Sequence, residues 1–147
     1  MLEFKNVSVT LSDGRQSRPF SLIVKDGEAA CLVGASGTGK SKILLATLGL
    51  FPIHRGFITL DGELITPGSS PYFRKMMAYI PQDLPEGMDA NKLMSSLPKI
   101  GKKIILIDNI PFSSQTSHLL AQLAQAGAAI IYTCRENRLP CDKIIEL

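Results

Sequence analysis

The chain has 147 residues, of which 45% are hydrophobic, and its formal net charge is +3. A chain of this size buries roughly 68–70% of its unfolded surface, so we expect one domain over residues 1–147. This net charge is far below that of proteins with the dense basic face typical of nucleic-acid binding, so we expect no nucleic-acid partner.

The cysteine content and the apolar runs indicate a compartment. Three cysteines without paired spacing favour a reducing environment over a disulfide framework. The first ten residues, MLEFKNVSVT, lack a signal-peptide pattern, and no apolar run approaches the roughly 20 residues that cross a bilayer. We therefore expect a cytoplasmic chain with no direct membrane insertion.

The first half of the chain predicts strands around one helix. LEFKNVSV alternates in polarity, and FSLIV follows the turn SDG, which predicts an N-terminal hairpin. AACLV, residues 29–33, is apolar throughout and predicts a central strand covered on both faces. A helix from Gly39 to near Gly49 should follow. GFITLDGELI then predicts two strands joined by the two-residue turn Asp61-Gly62.

The second half alternates strands and helices. MMAYIPQD predicts a strand ended by Pro81, whereas residues 83–103 predict a loose stretch with a weak helical pattern around DANKLMSSL. KKIILIDN predicts a core strand, and SSQTSHLLAQLAQAG predicts a helix capped by Ser113 or Ser114 and ended by Gly127. AAIIYT and KIIEL predict two further strands. The expected fold is α/β, with a mixed or parallel sheet flanked by helices and an antiparallel β-subdomain.

A phosphate-binding pattern lies between the predicted strand at 29–33 and the helix. Residues 34–41, GASGTGKS, match G-x-x-x-x-G-K-[ST] at every fixed position. Backbone N–H groups of such a loop attract an anion, while the lysine reaches the β- and γ-phosphates and the hydroxyl holds Mg²⁺. The predicted phosphate-binding residues of this P-loop NTPase core are Gly34, Ala35, Ser36, Gly37, Thr38, Gly39, Lys40 and Ser41.

A P-loop needs an acid near the magnesium ion, and Asp108 is the candidate. It follows the apolar run at 104–107, so its carboxylate should lie at the end of a neighbouring strand. There it could accept a hydrogen bond from a Mg²⁺-bound water, although an aspartate at a strand end can also simply cap the next turn.

The order of these segments resembles the nucleotide-binding domain of ABC (ATP-binding cassette) transporters. The resemblance runs almost continuously over residues 1–82, through RGFITLDGELI and RKMMAYIPQD, and resumes over 103–147 with IILID and DKIIEL. It implies ATP or ADP with Mg²⁺ as ligands, and a full-length ABC ATPase subunit or a membrane permease as partner. A permease would hold the chain at the periphery of the inner membrane. Gln82 matches the Q-loop glutamine, which implies contact with Mg²⁺ and the attacking water.

The departures from the family concern hydrolysis and dimer closure. Only 21 residues separate Gln82 from Ile104, where the family inserts a helical subdomain with an LSGGQ-type signature, and no such sequence occurs in the chain. The resemblance thus implies that this subdomain is largely missing between about 83 and 103. Two copies of the chain could not build the family's shared ATP site.

Three substitutions relative to the family also concern hydrolysis and nucleotide binding. Asn109 occupies the position of the family's glutamate after Asp108, and an amide cannot supply the general-base help of about 10²–10⁴-fold. Cys134 replaces the switch histidine, and Leu11 replaces the aromatic residue that stacks on adenine. The resemblance implies that Gln82 and Asp108 are the catalytic residues and that Ser41, Gln82 and Asp108 are the metal ligands. None of these positions supplies a secure general base, so we expect weak or absent hydrolysis.

Two other classes of function compete with an ATP-binding transport component. One is a nucleotide-sensing or structural interaction module in which the P-loop persists because it stabilises the fold. The other, a small kinase or GTPase, has less support, because the sequence contains neither an NKxD-type guanine motif nor an arginine-rich lid.

Overall fold

The computed structural model describes residues 1–110, 112–136 and 139–147, with the backbone alone at 98–100. Within these residues the elements follow in the order β1 (Leu2–Ser8), β2 (Phe20–Val24), β3 (Ala29–Val33), α1 (Lys40–Thr47), β4 (Arg55–Leu60), β5 (Glu63–Leu64), α2 (Ser70–Arg74), β6 (Met77–Ile80), α3 (Ala90–Ile100), β7 (Ile104–Ile107), α4 (Ser114–Gln125), β8 (Ala129–Cys134) and β9 (Lys143–Glu146).

The antiparallel β-subdomain has the strand order β2-β1-β4-β5. The N-terminal hairpin is confirmed, since β1 pairs antiparallel with β2, and alternate residues of β2 are buried. The turn between β4 and β5 is also confirmed, with φ of 50° at Asp61 and 82° at Gly62. Positive φ at both central residues suits the right-handed twist of the two strands, which is why Asp-Gly is a strong hairpin signal.

The second sheet is parallel and has the order β6-β7-β8-β3-β9. Strands β7 and β8 are buried along their whole length, and β3 along all but its last residue. Such burial on both faces explains their continuous apolar sequences. Because all five strands run the same way, their carboxyl ends lie at one edge of the sheet, where α/β proteins bind ligands.

Two hydrophobic cores cover the two faces of the parallel sheet. One contains α1, the buried side of the β-subdomain and residues such as Leu32 and Ile131. The other contains α3 and α4 with Cys31, Tyr132 and Cys134. The mixed α/β architecture therefore agrees with the predicted fold class. The assignment of residues 1–147 to one domain remains a prediction.

Residues 83–103 are more ordered than expected. The helical pattern around DANKLMSSL is confirmed, but the prediction of a loose stretch was wrong, because α3 occupies eleven of these residues and buries Met94 completely. The Asp89 carboxylate accepts from the Asn91 N–H at 2.8 Å, and Gly101 ends the helix with φ of 72°. Thr116 of α4 also donates to the Asn91 side-chain oxygen at 3.0 Å. A cap, a stop and packing on α4 together stabilise this helix.

The remaining helices agree with expectation, except for the short α2, which was not predicted. Ser113 caps α4, accepting from the Thr116 N–H at 3.0 Å, and Gly127 follows the last turn with φ of 94°. Across the described ranges, none of the helices combines the length and the apolar character needed to cross a membrane.

Candidate nucleotide-binding site

The loop after β3 has the backbone shape that the P-loop pattern predicts. Gly37 and Gly39 have φ of 84° and 96°, a region that side chains disfavour. At Gly39 a Cβ atom would also lie 3.0 Å from the Leu11 side chain. Gly39 is the N-cap of α1, and among the described residues no side chain caps this helix. The first N–H groups of α1 are therefore available to an anion.

Lys40 crosses this loop. Its ammonium donates to the Gly34 carbonyl and, at 3.3 Å, to the Cys134 carbonyl at the end of β8. Partial burial lowers the pKa of Lys40 below that of a free lysine, and Arg135 nearby lowers it further, while Cys134 and Asp108 oppose the shift. The lysine thus links the two ends of the P-loop to each other and to the carboxyl end of β8.

Asp108 is held in place by a hydrogen bond that the sequence did not predict. It is 7% exposed, and its Oδ1 accepts from the Thr133 hydroxyl at 2.7 Å. The same hydroxyl accepts from the Asn109 N–H, also at 2.7 Å. Thr133 comes from β8 and Asp108 follows β7, so one side chain fixes both residues after the strand. A lone threonine ending an apolar strand was the available sequence signal.

Asn109 has a left-handed backbone with φ of 54°. Asparagine adopts this conformation more readily than most residues, because its short polar side chain bonds locally.

A pocket of about 200 Å³ brings most of the predicted site residues together. It is lined by Leu11, Ser12, Ser36, Gly37, Gly39, Lys40, Ser41, Lys42, Gln82, Asp108, Asn109, Thr133 and Arg135. Of the predicted phosphate-binding residues, Gly34, Ala35 and Thr38 lie outside this lining. Thr38 instead donates to the Ala35 carbonyl at 2.8 Å and so braces the loop from within.

Cys134 is not part of the lining. Its sulfur lies in the opposite core, 2.9 Å from the Cys31 sulfur, because consecutive residues of β8 point to opposite faces of the sheet. Its carbonyl contacts the P-loop, where it accepts from the Gly34 N–H and from the Lys40 ammonium.

Four lining residues were missed by the sequence predictions: Ser12, Lys42, Thr133 and Arg135. Lys42 donates to the Ser12 hydroxyl at 3.3 Å and to the Thr10 carbonyl at 3.2 Å, and it lies over the Phe51 ring at 5.3 Å. In sequence, each of the four lies next to a position named in the sequence analysis, namely Leu11, Ser41 or Cys134.

The charges of the lining favour an anion. It contains three basic side chains, those of Lys40, Lys42 and Arg135, against one carboxylate, that of Asp108. Basic groups above a helix N-terminus attract phosphate, while a carboxylate held among them suits a divalent cation. The fold and the P-loop sequence define a P-loop α/β protein, and the charges of the pocket suit an anionic ligand.

Comparison with known proteins narrows this class. Residues 17–137 match the model of the ABC transporter family, so the chain belongs to that family. The predicted resemblance to its ATP-binding domain is confirmed.

Curated relatives include the human ATP-binding cassette sub-family B member 6, which is 36% identical over 83 residues, or 56% of this chain. The phosphonates import ATP-binding protein PhnC 3 of Halalkalibacterium halodurans is 39% identical over 77 residues, or 52% of the chain. The oligopeptide transport ATP-binding protein OppF of Streptococcus mutans is 34% identical over 118 residues, or 65% of the chain. The matches cover 10%, 30% and 38% of these relatives' own lengths.

Solved structures show the same fold. The cbiO1 protein of Clostridium perfringens, described as part of the ABC transporter complex cbiONQ, matches with a TM-score of 0.78 at 15% identity over 99% of this chain and 83% of its own. A bacterial Atm1-family ABC exporter with ATP bound matches with a TM-score of 0.69 at 18% identity, over 99% of this chain and 36% of its own.

Proposed function

We propose that the chain binds Mg-ATP in the pocket at the carboxyl edge of the parallel sheet and serves as an ATP-binding component of an ABC transport system. The observation that carries the proposal is the convergence of the P-loop, Gln82 and Asp108 on one basic pocket. These residues follow three different strands, β3, β6 and β7, and only the fold brings them together.

The phosphates would occupy the P-loop side of the pocket. The uncapped start of α1 and Lys40 line that part of the pocket, and Lys42 and Arg135 add positive charge. A volume of about 200 Å³ is below the roughly 300–1,000 Å³ of pockets that enclose a whole ligand. It suits the phosphate chain and leaves the base at the rim beside Leu11.

The donor set fits a magnesium ion. Ser41, Gln82 and Asp108 offer hydroxyl, amide and carboxylate oxygens in one pocket, and Mg²⁺ prefers oxygen ligands. The Thr133 hydroxyl engages one carboxylate oxygen of Asp108 and so orients the group. When bound, the ion would neutralise phosphate charge.

Hydrolysis by the isolated chain should be slow or absent. Among the described lining residues Asp108 is the single carboxylate, and its proposed role is toward the metal. Asn109 cannot accept a proton, and the Cys134 thiol lies on the other face of the sheet. These features support an accessory subunit that works with a complete ABC ATPase or a membrane permease.

The relatives' names point to transport, since two of them are an import and a transport ATP-binding protein. We extend that role to this chain as part of the proposal, with a place at the cytoplasmic side of a membrane through the permease.

One observation favours a second candidate, a structural module. Lys40 already bonds the Gly34 and Cys134 carbonyls, so the P-loop contributes contacts to the fold itself. A module of this kind would keep the loop without using nucleotide.

Calorimetric titration of the purified chain with Mg-ATP distinguishes the ATP-binding component from the structural module. We expect binding, weakened about 10- to 100-fold by Lys40→Ala, because a hydrogen bond to a charged group contributes about 1.5–3 kcal/mol. Lys92→Ala, which removes an exposed lysine of α3, is the matched control and should bind like wild type. Absence of binding by the wild-type chain, with a folded protein, would support the structural module instead.

A further inference from the structure

The sulfur atoms of Cys31 and Cys134 lie unusually close together. They are 2.9 Å apart, whereas carbon atoms in van der Waals contact are about 3.5–4.0 Å apart and sulfur is larger than carbon. A disulfide bond is about 2.03–2.05 Å long, so the two sulfur atoms lie about 0.9 Å beyond bonding distance.

The sheet places the two cysteines in this arrangement. In the parallel pairing of β3 with β8, Cys31 is opposite Tyr132 and Cys134 is opposite Val33. Cys31 and Cys134 are therefore diagonal neighbours on one face of the sheet, where both contribute to the core under α4. The third cysteine, Cys141, is only partly buried.

We propose that Cys31 and Cys134 form a reversible intramolecular disulfide, and that this bond weakens nucleotide binding at the P-loop. Transient disulfides of this kind in reducing compartments are typically redox-sensing, so the proposal is compatible with the expected location. The effect on nucleotide rests on the proposed function, whereas formation of the bond does not.

The difference in exposure between the two cysteines indicates which of them an oxidant reaches first. Cys134 is 8% exposed and Cys31 is fully buried. Burial, assisted by the contact with Cys134, raises the pKa of the Cys31 thiol, which makes Cys31 a poor first target for an oxidant.

Hydrogen peroxide serves as the oxidant. The Cys134 sulfur attacks one peroxide oxygen as its thiol proton is lost, the O–O bond breaks, and the leaving hydroxide takes up that proton and departs as water, which gives a sulfenic acid. The Cys31 sulfur then attacks the Cys134 sulfur, the S–O bond breaks, and the oxygen leaves as water with the Cys31 proton. Two thiols lose two electrons to one peroxide, which yields one disulfide and two waters, and a dithiol reductant reverses the change.

The bond would reach the nucleotide site through the Cys134 backbone. The Cys134 carbonyl accepts from the Gly34 N–H at 3.2 Å and from the Lys40 ammonium at 3.3 Å. Cys31 lies three residues before Gly34 on the strand that leads into the loop. Drawing the two strand ends together must shift these partners, so we expect Mg-ATP affinity to fall about tenfold.

Mass spectrometry of the full chain tests the bond. After peroxide treatment the wild type should lose about 2 Da, and alkylation of the denatured protein should label Cys141 alone. Cys141→Ser is the matched control and should lose the same mass. Cys31→Ser and Cys134→Ser should not, and dithiothreitol should restore every thiol of the wild type. Labelling of both Cys31 and Cys134 after oxidation, or a cross-link through Cys141, would overturn the proposal.

Calorimetry with Mg-ATP tests the coupling, comparing reduced and oxidised forms of wild type and of Cys141→Ser. Weaker binding by both oxidised proteins, recovered with dithiothreitol, supports it, and unchanged affinity in a protein shown by mass to carry the bond refutes it. If the reduced wild type binds no Mg-ATP, the proposed function fails, while the mass measurement still decides whether the disulfide forms.

Discussion

The hydroxyl of Thr133 should be important for both stability and metal binding. Thr133→Val keeps the shape of the side chain but leaves the buried Asp108 carboxylate without its donor and the Asn109 N–H without its acceptor. An unsatisfied buried polar group costs about 1–3 kcal/mol, and more when it is charged, so we expect the free energy of unfolding to fall by about 2–4 kcal/mol. For a chain of this size that corresponds to a Tm lower by roughly 4–16 °C.

Thermal and urea unfolding would measure this loss. Thr47→Val is the matched control, because Thr47 is also a buried threonine but its hydroxyl, within the described part of the chain, donates to the Ile43 carbonyl of its own helix α1. That carbonyl keeps its backbone partner, so the control should lose much less stability. In calorimetry, Thr133→Val should also weaken binding of Mg-ATP more than binding of ATP in the presence of a chelator. Equal losses of stability in the two variants would refute the reasoning.

Two further predictions concern activity and assembly. Purified protein should show no Lys40-dependent ATP turnover approaching about 1 s⁻¹. The Asn109→Glu variant alone should not create such turnover, because the switch histidine and the signature are still missing. Lys40-dependent phosphate release at that rate would show that a catalytic group was overlooked. Light scattering should show no Mg-ATP-driven dimer of the isolated chain, because each P-loop would face a surface without the LSGGQ-type signature. A shift from monomer to dimer with ATP that Lys40→Ala abolishes would contradict this prediction.

Local sequence was sufficient to predict the elements with strong signals. The apolar runs of β3, β7 and β8 could only be buried strands, the Asp61-Gly62 turn required a hairpin, and GASGTGKS specified both the loop and the start of α1. Asp108 was identifiable because an acid directly after such a strand must lie at the carboxyl edge of the sheet.

Features that depend on distant partners were not predictable. The α3 helix was predicted only as a weak pattern around DANKLMSSL, because its sequence includes Pro98, which normally ends a helix. Its stability comes from the Asp89 cap and from packing on α4. Thr133 and Arg135 belong to the site only because β8 lies beside β7 and β3, an order that no local pattern specifies. Likewise, the 2.9 Å contact between Cys31 and Cys134 joins positions 103 residues apart.

The place of β8 in the sheet links ligand binding to cooperative folding. This strand comes late in the chain yet lies between β7 and β3, so β6 and β7 have no paired connection to the P-loop strand until β8 is inserted. A partly folded chain would hold the P-loop and Asp108 on separate pieces and would bind Mg-ATP poorly. Nucleotide should then stabilise the complete sheet by RT ln(1 + [L]/Kd), which amounts to about 2.7 kcal/mol at a hundredfold excess over Kd. Ligand occupancy would report the integrity of the whole sheet as well as that of the pocket.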